Sequence, residues 1–169
     1  MNPISIYIYA DKNEYIKHML KYTDTYQDWM IGDTNDGNIN MLSLKNCKMT
    51  QTHKGLTLSE YIKVVVHELV HICQQEVNSN AYGCEWFWEA LALNLSGQTM
   101  SETIVDCTEE QLMFHYLCLP KRYSISFTIG KYMLANYPHE HLLEYIKNPQ
   151  QLWNDTEAIL NDVKIKKQV

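Results

Sequence analysis

Thr57-Leu58-Ser59-Glu60-Tyr61-Ile62-Lys63-Val64-Val65-Val66-His67-Glu68-Leu69-Val70-His71-Ile72-Cys73-Gln74-Gln75-Glu76-Val77 is the stretch at which the chain changes character. Thr57, with Glu60 three residues on, makes a capping box, in which each side chain satisfies a backbone N–H at a helix start. Ile62, Val65, Leu69, Ile72 and Val77 then recur at helical spacing, so a long, largely buried helix is predicted over 58–76.

The residues before it read differently. Ile4-Ser5-Ile6-Tyr7-Ile8-Tyr9 alternates with period two and predicts a strand with Ile4, Ile6 and Ile8 on one face. Asp11 and Glu14 cap a helix that fades near 22–26. Gly32-Asp33-Thr34-Asn35-Asp36-Gly37 reads as a turn between strand-like 27–31 and strand-like 38–44.

After the long helix everything looks helical. One helix is predicted over 85–95, stopped by Gly97, and another over 108–119, where Thr108 is boxed with Gln111 and Pro120 ends the run. Two or three more follow near 124–137, 139–147 and 149–163. Sheet first and helices second make an α+β fold. The expectation is one domain over 1–169, with a sheet and the long helix in 1–76 and a helical part in 77–169.

Composition sets the outer limits. The 169 residues are 46% hydrophobic and 20% charged, as in a compact globular domain without repeat or linker. No apolar run approaches the ~20 residues needed to span a bilayer, and the first residues lack a basic-then-apolar leader. No membrane role is expected. Fourteen Lys and Arg against twenty Asp and Glu leave a charge of −6, which repels phosphate backbones and disfavours nucleic acid as a partner. Five cysteines, an odd number without a C-x-x-C pair, argue against a disulfide framework and a thiolate zinc site. Reduced, mostly buried thiols and a cytoplasmic location are expected, although a secreted chain trimmed of its export signal reads the same.

The chemistry lies in His67-Glu68-Leu69-Val70-His71. Residues four apart stack one turn apart on a helix face, so His67 and His71 can aim two imidazoles at one Zn²⁺. Glu68, one step round the helix, reaches a zinc-activated water without ligating the metal and is the expected general base. With seven histidines in the chain, chance yields such a pattern only about 0.02 times. The competing reading makes His67 and His71 ordinary core histidines beside a surface Glu. Three costly polar groups among apolar neighbours need a compensating partner, and zinc is the simplest one.

Catalytic zinc takes three protein ligands and leaves a position open to water. Glu85-Trp86-Phe87-Trp88-Glu89-Ala90-Leu91-Ala92 supplies two acids on the next predicted helix, which a short loop folds back. Glu89 is the expected third ligand and Glu85 the reserve. A carboxylate inside an apolar run is expensive unless paired, whereas an acid at a helix start is favoured by the helix dipole.

His67-Glu68-Leu69-Val70-His71 followed by Trp86-Phe87-Trp88-Glu89-Ala90-Leu91-Ala92 resembles the gluzincin zinc metallopeptidases, whose second motif typically reads W-x-x-E-(G/A)-x-A. Tyr123-Ser124-Ile125-Ser126-Phe127 through Lys131-Tyr132-Met133-Leu134-Ala135-Asn136-Tyr137 is similar to a helix of small members of the peptidase MA-like family. The resemblance implies a zincin-like, thermolysin-like catalytic half: a sheet whose edge strand lines the cleft, the metal helix, the Glu-bearing helix and a small helical subdomain. It also implies peptide-bond hydrolysis on peptide or protein substrates, with Zn²⁺ held by His67, His71 and Glu89. Tyr123 is the implied oxyanion donor, with His115 in reserve. Gly37-Asn38-Ile39-Asn40-Met41 carries no acid to hold a free α-amine, so an endopeptidase is expected rather than an exopeptidase.

Residues 38–44 are the expected edge strand for an extended peptide. His18, His53, His139 and His141 read as surface residues, and Lys164, Lys166 and Lys167 as a solvated, frayed end. Two rivals share the motif: a cytosolic regulatory protease of the repressor-cleaving type, and a non-catalytic, zinc-containing binding module.

Overall fold

Asp11 accepts a hydrogen bond from Asn13 N at 2.7 Å and starts α1 (Lys12–Met19), which follows directly on β1 (Ile6–Tyr9). The computed structural model describes residues 3–166. Among them are a three-stranded sheet and eight α-helices, so the class is α+β. The chain divides into two compact units, residues up to Ile72 and residues from Cys73 on. The division falls inside the long helix α3 (Leu58–Val77).

In the first unit, β2 (Gly32–Asp33) and β3 (Ile39–Leu42) complete the sheet in the order β1-β3-β2, β1 parallel and β2 antiparallel to β3. All four β3 residues are buried, as a central strand requires. This corrects the edge-strand expectation for residues 38–44: the edges are β1 and β2. The strand expected over 27–31 is also absent. Met30 N bonds Gln27 O at 2.9 Å, closing a turn, and Thr52 Oγ1 donates to Asp28 O at 3.0 Å, so the Gln27 and Asp28 carbonyls are used outside the sheet and only Ile31 O, accepting from Leu42 N at 2.9 Å, reaches β3.

The short α2 (Leu44–Cys47) follows, and then α3, whose Thr57–Glu60 capping box is formed in both directions. Tyr61 Oη donates to Leu42 O at 3.0 Å, and Tyr15, Ile39, Met41, Leu42 and Ile72 fill the core of this unit. The α3 stripe is only partly buried, since Ile62 and Leu69 are exposed. On β1, Ile6 and Ile8 are exposed as well.

His18 corrects its surface reading. It is 7% exposed, its Nε2 lies 3.2 Å from Asp33 Oδ1, and the rings of Tyr9, Tyr15 and Tyr22 surround it. No spacing rule pairs residues fifteen apart; only the sheet brings them together. His53 is half-buried against the Thr50 and Thr52 hydroxyls, at 3.2 and 2.8 Å.

The second unit is helical: α4 (Glu85–Leu95), α5 (Glu109–Phe114), α6 (Arg122–Asn136), α7 (His139–Lys147) and α8 (Pro149–Lys166). Trp86, Phe87, Trp88, Ala90, Leu91, Ala92 and Leu93 are all buried, which makes α4 the centre of this unit. It meets α6 closely, because Gly130 has no side chain to hold the helices apart; Asn94 Nδ2 donates to Ala90 O and to Phe127 O at 2.8 and 3.1 Å. The predicted helix over 108–119 stops early. Its capping box forms, but His115 (φ −128°) breaks the run and a 3₁₀ turn over Tyr116–Cys118 follows, which turns Tyr116 into the core.

His141 is half-buried against the Tyr145 and Tyr137 rings rather than on the surface. Lys164 is tethered too, donating to Cys107 O at 3.2 Å; Lys167 lies outside the described residues. Among the described residues no helix is long and apolar enough to cross a membrane.

Candidate metal centre

The α3 backbone places His67 and His71 one turn apart, with their rings near-perpendicular (82°) and their Nε2 atoms 3.0 Å apart. That spacing is the direct consequence of the i, i+4 geometry. His67 and Glu68 are both 8% exposed. The Glu68 side chain runs along β2: a Cβ placed on Gly32 would lie 2.9 Å from Glu68 Oε1.

One turn beyond His71, Gln74 is 2% exposed and donates Nε2 to Trp88 O at 3.1 Å. This bond fixes the last turns of α3 against α4 at the residue before Glu89. One nitrogen each of His67 and His71 and one carboxylate oxygen of Glu89 lie within 4.8 Å of one another, a group that could hold a metal ion. Glu85 and His115 are not part of that group; Glu85 is half-buried in the first turn of α4 and His115 is exposed.

Tyr123 is half-buried in the first turn of α6, where the Arg122 guanidinium lies 4.8 Å from its ring centre. Tyr116 is a neighbour that sequence reasoning missed. It is 4% exposed, its Oη accepts from Ser126 Oγ at 3.1 Å, and burial and then the Glu89 carboxylate push its hydroxyl well above the ordinary phenol range. Burial raises Tyr15 likewise, and the carboxylates of Asp33 and Glu68 add to it. Two buried phenols, one beside Glu89 and one beside Glu68, are thus kept protonated.

Gln74 carried a readable signal, since it lies three residues after His71 on the same helix face. Tyr116 and Gly32 carried none, because nothing in the local sequence distinguishes them from other tyrosines and turn glycines. No protein-family model, curated protein or solved structure matches this chain.

Proposed function

We propose that this chain is a zinc-dependent metallopeptidase of the gluzincin type, cleaving internal peptide bonds. The observation that carries the reading is the convergence of His67, His71 and Glu89, three donors within 4.8 Å. Two imidazoles and a carboxylate match the nitrogen–oxygen donor set of catalytic zinc, and no cysteine shares the group to suggest a closed structural site. Bound there, zinc would supply Lewis acidity, polarising a carbonyl and lowering the pKa of a water.

The chain's own residues supply the rest. Glu68, adjacent to the first ligand but outside the ligand group, accepts a proton on its carboxylate as water attacks and returns it to the leaving amine. Tyr123 donates a hydrogen bond from its hydroxyl to the developing oxyanion, a role worth about 10²–10³ in kcat for one donor. An extended substrate pairs with the free side of β2, the edge strand against which Glu68 lies.

The test is a peptide-library digest with zinc-loaded protein beside Glu68→Gln. Cleavage by the first and not the second, at equal zinc content, is the expected result. No cleavage by the zinc-loaded wild type, or equal cleavage by both, would overturn the proposal. Tyr123→Phe then separates Tyr123 from His115: kcat should fall with Tyr123→Phe and stay within twofold with His115→Ala.

A further inference from the structure

Gly32 opens β2 and sits opposite Met41 of β3. It is not one of the glycines with positive φ, which are Gly37, Gly83 and Gly97, so its backbone conformation is open to any residue. Space is the constraint. A Cβ at position 32 would stand 2.8 Å from Met41 Sδ, 2.9 Å from Glu68 Oε1 and 3.2 Å from Glu68 Cγ. We propose that Gly32 is a positioning residue for Glu68: its missing side chain is the slot that holds the general-base carboxylate in place. The inference rests on the peptidase reading for its consequence in turnover, and on geometry alone for the contact.

What yields when the slot is filled follows from what is fixed around it. The backbone of β2 is held on both sides of Gly32. Leu42 N donates to Ile31 O at 2.9 Å, and Asp33 Oδ1 accepts from Asn35 N, Asn35 Nδ2 and Asn40 Nδ2 at 3.0, 2.8 and 3.2 Å, with His18 Nε2 also at 3.2 Å. Met41 is fully buried, so its sulfur has no solvent to retreat into. The Glu68 carboxylate is the far end of a side chain with three rotatable bonds, so it can shift at less cost than the β2 backbone. Displacing it by ~1 Å from its working position costs about 10²-fold in rate, while His67 and His71, on the α3 backbone, keep their places.

The experiment is a melting cycle on the full chain: wild type, Gly32→Ala, Glu68→Ala and the double variant. Gly32→Ala is expected to lower the melting temperature by roughly 4 °C, and by less than half of that when Glu68 is already Ala. If Gly32→Ala fails to fold while the double variant folds, the contact is supported all the more directly. An equal drop in both backgrounds, or failure of both to fold, assigns the strain to Met41 or the backbone and overturns the proposal. On a cleaved peptide, Gly32→Ala should lower kcat about 100-fold with KM and zinc content within twofold. Loss of zinc together with turnover would instead mean a collapsed centre and would also overturn it. A wild type without turnover sinks the peptidase reading alone, because the melting cycle reads the contact without any reaction.

Discussion

The Nε2 atoms of His67 and His71 face each other at 3.0 Å. Two neutral imidazoles cannot turn lone pairs toward one another at that distance, so either a proton or a cation stands between them. With the Glu89 carboxylate in the same group, a divalent cation satisfies all three donors at once. The expectation is one metal per chain by elemental analysis after loading. His67→Ala or His71→Ala should weaken zinc at least ~100-fold in competition with a chromophoric chelator, the upper end of what losing even an outer partner costs. Retention of zinc by either variant would exclude this pair as ligands.

The two acids of α4 should behave oppositely. Glu89 belongs to the donor group and Glu85 does not, so Glu89→Gln should lose zinc affinity by at least ~10-fold while Glu85→Gln stays within about twofold. The same titration checks both. The reverse order would move the third ligand one turn toward the helix start.

The starts of α1 and α3 and the stop of α4 were legible because each rests on a local rule: Asp11, the Thr57–Glu60 box and Gly97. The juxtaposition of His67 and His71 was legible for the same reason, since i, i+4 spacing is a property of one helix. What escaped depends on distant partners. β3 is central because β1, thirty-three residues upstream, pairs beside it. His18 is buried because Asp33 lies across from it. Tyr116 comes beside Glu89 because a helix predicted to reach Leu119 breaks at His115. No periodicity within a segment encodes such meetings.

Gly130 tests how tightly α6 is seated on α4. A Cβ there would lie 2.6 Å from Asn94 Nδ2 and closer still to the Ala90 carbonyl, a backbone atom that cannot swing aside. Gly130→Ala should therefore destabilise by about 1–3 kcal/mol, despite the better helix propensity of Ala. Urea unfolding measures it; a gain in stability would mean the two helices separate at no cost.

The cysteines give a test of burial and of alkaline stability together. Cys73 and Cys118 are exposed, whereas Cys47, Cys84 and Cys107 are buried. Burial pushes the Cys47 and Cys84 thiols up to about 11 and raises Cys107 as well. A disulfide reagent at pH 8 should modify two thiols quickly and the remaining three only on unfolding. The sign of the pH effect follows. Above the ordinary thiol range the unfolded chain loses these protons while the folded chain keeps them, so the unfolded state binds fewer protons and stability declines. The contribution is intact below about pH 8.5 and is lost as pH climbs toward 11. Tyr26 and Tyr61, pushed up to about 12 by burial, prolong the decline. Urea midpoints should thus fall steadily from about pH 8.5 to pH 10, with a shallower slope for Cys47→Ala. A flat profile would mean that these thiols ionise as easily in the fold as outside it.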